Sequence, residues 1–173
     1  MNQTHKQTYE AKAGLVEVIG FDVAGISLVT DHTRATEDIN ALWERFFAQR
    51  IGQQVENKAD DIIYAVYSDY AGDHTQPYRV TIGYRLKTPP APHIISLQGG
   101  TAASFELHYV KCKEGPYAVL SAGGKQPEAL IESWNAIWSS DLDRAFQTDF
   151  EMYGPRFFED GVHEVLLHIG IHT

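Results

Sequence analysis

Two amphipathic stretches about ninety residues apart constrain this chain more than any other feature in it. Ile39, Leu42, Trp43, Phe46 and Phe47 recur at three- and four-residue spacing, and Leu130, Ile131, Trp134, Ile137 and Trp138 repeat the stripe. That spacing gathers apolar side chains on one face of a helix. A shift of 91 residues lays Ile39 on Leu130, Trp43 on Trp134 and Phe47 on Trp138. After the helices, a shift of 87 lays Ile82-Gly83-Tyr84 on Ile169-Gly170-Ile171, and sets Tyr64 against Glu151 and Val66 against Tyr153. Landmarks repeated in the same order predict a tandem duplication of a strand–helix–strand–strand module, with halves at about residues 15–88 and 103–173. Two such modules meeting about a pseudo-two-fold axis give an α+β fold. It has an antiparallel sheet, two main helices and a central ligand cleft between the halves.

The remaining elements follow from local chemistry. Residues 17–30 read as extended, rich in Val, Ile and Phe and punctuated by Gly20 and Gly25. Thr36, Glu37 and Asp38 supply capping and acidic residues at a helix start, and Ile51-Gly52 marks its end. A polar linker, 53–61, precedes two strands at 62–70 and 78–86, and the prolines of 88–92 break regular structure. In the second half, strands are expected at 104–113, 117–121, 147–153 and 162–171, with a helix over 127–138.

Bulk properties remove whole classes of function. At 173 residues and 43% hydrophobic, the chain suits one compact domain, or two small modules sharing a core, with a packed interior. Fourteen basic against twenty-three acidic residues give a net charge of −9, which opposes direct nucleic-acid binding. Cys112 is the single cysteine, so an internal disulfide and a cysteine-rich zinc site are both out of reach, and a small buried side chain is expected there. Residues 1–14 read as a mobile polar segment without the apolar core of a secretory signal. No apolar run reaches the roughly 18 residues of a membrane span, and a cytoplasmic protein is expected. His163, His168 and His172 read as edge or terminal histidines, and neither a metal site nor a cofactor is expected. Ser121-Ala122-Gly123-Gly124-Lys125 fails the phosphate-loop pattern, since Val119 stands at its first glycine and Gln126 at its Ser/Thr.

The chemistry concentrates in Thr148-Asp149-Phe150-Glu151-Met152-Tyr153. In a strand, Glu151 and Tyr153 leave the same face. Alternation alone reads this as a half-exposed strand, with Phe150 and Met152 inward and Glu151 toward water. The competing reading sets Glu151 in a cleft without a basic partner. There its pKa would rise, and an organic cation becomes a natural counter-ion, aided by aromatic faces. Trp43, Trp134 and Trp138 serve equally as core or as pocket wall, Phe46 reads as core, and Tyr67 and Tyr70 read as ordinary sheet residues. Glu106 is read as a solvated second carboxylate.

Pro116-Tyr117-Ala118-Val119, the Gly123-Gly124 turn, the Trp134-to-Trp138 helix, Phe150-Glu151-Met152-Tyr153 and the closing strand occur here in a characteristic order. In this order they resemble the gyrase-inhibitor-like effector-binding domain, which also occurs in multidrug-responsive transcription regulators. No helix-turn-helix precedes the domain, so the resemblance is to stand-alone members, including the cationic drug-binding modules of mobile gene cassettes. It implies that Glu151 recognises lipophilic, chiefly cationic small molecules in an aromatic pocket. Tyr153, Trp134, Trp138, Trp43, Phe47 and Tyr64 are the other expected ligand-binding residues. The implied role is a sensor, carrier or sequestering module. Two alternatives stay open: a hydrolase that opens strained cyclopropane rings, with Glu151 as general base and Tyr153 assisting, and a regulator that binds a protein partner. Binding is preferred to catalysis.

Overall fold

A computed structural model describes residues 14–72, 75–89, 107–126, 128–140, 142–159 and 162–172. Strands β1 (Gly14–Val18) and β2 (Phe21–Thr30) are separated at Gly20; then come helix α1 (Ala35–Ala48) and a short helix, α2 (Ile51–Gln54). Strands β3 (Lys58–Ser68), β4 (Tyr78–Leu86), β5 (His108–Cys112) and β6 (Gly115–Ala122) follow. Helix α3 (Glu128–Ser139), strand β7 (Arg144–Tyr153), a 3-10 turn (Pro155–Phe157) and strand β8 (Val165–Ile171) complete the chain. The strands form one eight-stranded antiparallel sheet in the order β1-β6-β8-β7-β3-β4-β2-β5. Together with the two main helices this is the α+β architecture the sequence leads one to expect.

The strand order is palindromic by module. Reading outward from the central β7–β3 pair, β7-β8-β6-β1 on one side answers β3-β4-β2-β5 on the other. Both main helices cover the same face. Leu42 and Phe46 of α1 and Ile137 of α3 pack with Ile26, Ile82, Leu120, Leu167 and Ile169 in the larger core. The opposite face carries a smaller cluster of Phe21, Val23, Tyr64, Val66, Cys112, Tyr117 and Phe150. Central strands are thus covered on both sides, and alternation along β7 no longer separates core from water.

That double cover corrects several expectations. Glu151 does not face solvent; it is 1% exposed, and Phe150 lies in the core of the opposite face. His168 is neither at an edge nor at the terminus. It lies within β8 with its ring stacked on Phe150 at 4.4 Å, and burial lowers its pKa to about 4. Thr36 does not cap α1, which starts at Ala35; the preceding turn is organised by Asp31, whose Oδ1 accepts from the Thr33 and Arg34 backbone N–H groups at 3.0 and 3.2 Å. Ile51-Gly52 opens α2 instead of ending α1, the break being made by Arg50 in left-handed backbone at φ 51°. Cys112 is buried as expected. Glu106, Pro127, residues 1–13 and the first part of the expected 104–113 strand lie outside the described residues.

An offset of 87 relates residues on the same face in β4 and β8 and on opposite faces in β3 and β7. Ile82 and Ile169 both pack on the helix-covered face. In the β3–β7 ladder, however, Ala65 lies opposite Glu151 and Tyr64 opposite Met152. Residues paired across a ladder point to one face, and a one-residue slip moves every side chain to the other. Tyr64 is therefore not beside Glu151 but behind the sheet, its ring 5.6 Å from Phe21 and 6.1 Å from Phe150.

The Ile-Gly landmark has a steric cause. A Cβ on Gly83 would lie 2.0 Å from the Ala24 carbonyl oxygen, and one on Gly25 1.9 Å from that of Ile82. These glycines face each other across β2 and β4 and let the backbones close. Gly83→Ala is expected to lower the free energy of unfolding by about 2 kcal/mol or more, by the overpacking rule, measured by urea denaturation. A change within ~0.5 kcal/mol, the range of ordinary surface substitutions, would contradict the close approach.

Candidate functional site

Between the helix-bearing face of the sheet and the two main helices lies a cavity of about 580 Å³. Its floor comes from β3, β4 and β7, whose alternate residues face the helices. From β7 these are Glu151 and Tyr153; from β3 they are Ile63 and Tyr67; from β4 comes Tyr78. The walls come from α1, through Ile39, Trp43 and Phe47, and from α3, through Leu130, Ile131, Trp134 and Trp138. Each helix buries part of its stripe in the core (Leu42 and Phe46; Ile137) and leaves the adjoining tryptophan to the cavity.

Glu151 is the polar centre of this space. Its Oε2 accepts from the Trp134 indole N–H at 2.6 Å and the Tyr67 hydroxyl at 2.9 Å, and its Oε1 from the Tyr153 hydroxyl at 2.6 Å. No lysine or arginine among the described residues forms an ion pair with it. Burial pushes its carboxyl above the ordinary glutamate range, and the hydrogen bonds from Tyr153, Trp134 and Tyr67 pull it back only in part. Taking a carboxylate out of water costs several kcal/mol. Three hydrogen bonds to a charged acceptor return about 1.5–3 kcal/mol each, which offsets part of that cost and orients the carboxyl without supplying an opposite charge. Burial and the Glu151 charge raise the Tyr67 and Tyr153 hydroxyls well above the usual phenol value, so both remain donors.

A second buried acid, Asp149, is handled differently. Its Oδ2 accepts from Arg144 Nη2 at 2.8 Å and from the Tyr70 hydroxyl, and its Oδ1 from the Gly170 backbone N–H at 2.8 Å. Arg144 reaches it through an irregularity in β7, where the β7–β8 register shifts between Arg144 and Asp149 and Phe146 adopts φ 54°. The Phe146 ring lies 4.3 Å from the Arg144 guanidinium carbon. The Asp149 charge is thereby balanced, and the uncompensated charge of the cavity rests on Glu151.

Of the expected site residues, Glu151, Tyr153, Trp134, Trp138, Trp43 and Phe47 come together around the cavity, and Tyr64 does not. The Trp43 ring meets Tyr153 edge-on at 4.9 Å and stacks on Phe47 at 5.9 Å, while Trp134 lies 5.1 Å from Tyr67. Tyr67, Tyr70, Tyr78, Arg144, Phe157 and Phe158 also line it and were not picked out. The signal for Tyr67 was present: it shares a strand face with Ala65, the true partner of Glu151. Arg144 carried no such signal, because its approach to Asp149 depends on the bulge. Phe47, Ile131, Trp138 and Phe158 stand 57%, 49%, 39% and 59% exposed around the mouth, forming an apolar rim.

A deep aromatic cavity with a single uncompensated acid defines a small-molecule-binding domain. Comparison with known families agrees: residues 15–172 match the GyrI-like small molecule binding domain, and the chain belongs to that family. Solved structures of similar fold include an integron cassette protein from the mobile metagenome of Vibrio cholerae. It is 24% identical, with a TM-score of 0.66 over 91% of this chain and 94% of that one. SAV2435 bound to tetraphenylphosphonium matches at 12% identity and a TM-score of 0.70, over 91% of this chain and 92% of that one. A putative transcription regulation protein from Staphylococcus aureus MU50 matches at 14% identity and a TM-score of 0.66, over 92% and 97%. A search of curated proteins gives no match. Among the described residues no helix is long and apolar enough to cross a membrane.

The balance at Asp149 is open to direct measurement. Arg144→Met leaves a buried carboxylate without its cation and is expected to cost about 3–5 kcal/mol of stability in urea titrations. Adding Asp149→Asn should recover most of that loss, because it removes the unpaired charge, its amide oxygen still accepts from the Gly170 N–H, and its NH2 can donate to the Tyr70 hydroxyl oxygen. No recovery in the double variant would contradict the pairing.

Proposed function

We propose that the protein binds lipophilic organic cations in this cavity, with the Glu151 carboxylate as counter-ion. Trp43, Trp134, Trp138, Phe47, Tyr67 and Tyr153 are the aromatic walls, and the role is that of a sensor, carrier or sequestering module. The observation that carries the reading is a carboxyl group 1% exposed, bound by three neutral donors and paired with no lysine or arginine among the described residues. A cavity of about 580 Å³ lies within the usual range for small-molecule sites. Ring faces add about 0.5–2 kcal/mol per cation–π contact in a desolvated site. That the similarly folded SAV2435 was solved with tetraphenylphosphonium supports the same ligand class.

Titration with tetraphenylphosphonium should quench tryptophan fluorescence through Trp43, Trp134 and Trp138. Glu151→Gln should weaken the phosphonium at least about tenfold, a loss near 1.4 kcal/mol, and leave neutral triphenylphosphine oxide within about threefold. Equal losses for the two compounds would remove Glu151 from the role of counter-ion.

The pH dependence has a definite sign. The folded-state pKa of Glu151 is raised, so its proton stabilises the fold below the ordinary glutamate value. That contribution is lost as pH climbs through the raised value. A bound cation favours the ionised form. Phosphonium affinity should therefore increase with pH across that window and then level off, whereas Glu151→Gln should show a flat profile by calorimetry. A wild-type profile as flat as the variant's would contradict the raised pKa.

A further inference from the structure

We propose that Tyr78 is a specificity-determining residue of the cavity, its hydroxyl donating to an oxygen acceptor, a carbonyl or ether, carried by the bound cation. This rests on the cation-binding reading and deepens it by adding a second recognised atom to the charge. A phenol has one hydrogen to give, and its oxygen can accept at the same time. Around the floor most such hydrogens are already placed. Tyr67 and Tyr153 give theirs to Glu151, as does the Trp134 indole N–H. Tyr70 and Arg144 Nη2 donate to Asp149. On the wall, the Gln126 amide donates to the Ala122 and His163 carbonyls at 3.0 and 2.8 Å. The Tyr78 hydroxyl bonds to no described residue, although Tyr78 is 7% exposed and lines the floor. Arg144 Nε and Nη1 also lack partners, but they are sealed from the cavity, with the Phe146 ring 4.3 Å from the guanidinium carbon. The Trp43 indole N–H is free too, on a partly exposed wall residue that water can serve. His32, Thr36, Asn40 and Asn135 stand at the exposed mouth.

The consequence is an asymmetry between ligand donors and ligand acceptors. A ligand N–H can be received by Glu151 or by the Tyr67, Tyr78 and Tyr153 oxygens. A ligand oxygen on the floor finds an uncommitted hydrogen at Tyr78, and elsewhere would have to break a bond to Glu151 or Asp149. A buried acceptor left without a donor pays its whole desolvation cost, so Tyr78 decides where such an atom can sit. The Tyr78 ring lies 5.8 Å from that of Tyr67, whose hydroxyl holds Glu151, and 5.8 Å from that of Tyr70. The acceptor is therefore read close to the charge. Burial, with the charges of Glu151, Asp31 and Asp38, pushes the Tyr78 pKa up to about 12, so the hydroxyl keeps its hydrogen at neutral pH.

The test uses 3- and 4-benzoylbenzyl-trimethylammonium beside their methylene counterparts, 3- and 4-benzylbenzyl-trimethylammonium, titrated by calorimetry. All four are permanent cations without N–H or O–H groups, and each pair differs by C=O against CH2. In wild type at least one ketone should bind as tightly as its counterpart or more tightly. Tyr78→Phe should cut the ketone-to-methylene affinity ratio for that pair at least about tenfold and leave the methylene compound within about twofold. Tyr67→Phe removes a neighbouring hydroxyl whose hydrogen is already committed, and should leave the ratio within about twofold. Because Tyr78→Phe deletes no protein hydrogen bond, its urea midpoint should match wild type; a lower one would contradict the unpartnered hydroxyl. Weaker wild-type binding of both ketones, ratios unmoved by Tyr78→Phe, or an equal change in Tyr67→Phe would overturn the inference. If the methylene cations still bind in that event, the cation-binding reading stands without Tyr78; if wild type binds neither these four nor tetraphenylphosphonium, both fall.

Discussion

An ionisable side chain removed from water must find a partner, lose its charge or keep access to a cavity, and in this protein Glu151 takes the third course. Three neutral groups, Tyr67, Tyr153 and Trp134, hold its oxygens, and none of them cancels its charge. Each comes from a different element: Tyr67 from β3, Tyr153 from β7 and Trp134 from α3. The arrangement thus requires β3 and β7 to lie side by side at the centre of the sheet, with α3 over them. Were β7 an edge strand, the carboxylate would be wet and the donors superfluous. The neighbouring acid, Asp149, shows the alternative solution two residues away, with Arg144 as a direct ion-pair partner. One strand carries both an ion-paired acid and one that lines the cavity, and the bulge at Phe146 keeps Arg144 with the former.

The aromatic side chains do double duty. Trp134 donates to Glu151 through its indole N–H and also lines the cavity. Trp43 supports Tyr153 edge-on at 4.9 Å while stacking on the exposed Phe47. Rings of this kind tolerate many ligand outlines, because their attraction for a cation depends on distance to a face and not on directed bonds. On the proposed reading, the cavity discriminates by charge and greasiness more than by shape. Apolar residues at the mouth extend the same surface outward, so a ligand longer than the cavity keeps favourable contacts at the rim.

Much of this was legible in the sequence, and the failures have physical causes. The two helical stripes, most strands and the pairing of Glu151 with Tyr153 on one face follow from spacing alone. Periodicity also favoured leaving Glu151 in water, since alternation assumes one wet face and cannot register that a central strand is covered on both. Tyr64 was misplaced for a different reason. The repeat was aligned on Ile82-Gly83 and Ile169-Gly170, where an offset of 87 keeps both isoleucines on the helix-covered face. The ladder between β3 and β7 needs an even offset, and an odd one exchanges faces. Carrying that parity through would have exchanged Tyr64 for Tyr67. Arg144 lay beyond sequence reasoning altogether, because its contact with Asp149 depends on an irregular segment with Phe146 in left-handed backbone.

The central claim concerns the protonation of one side chain, and carboxyl-carbon NMR of Glu151, labelled and assigned by comparison with Glu151→Gln, observes it directly. In the free protein the resonance should titrate above the ordinary glutamate range. Saturating tetraphenylphosphonium should move that midpoint downward, because a cation held beside the carboxylate favours its ionised form. An ordinary midpoint that the ligand leaves unchanged would contradict the account.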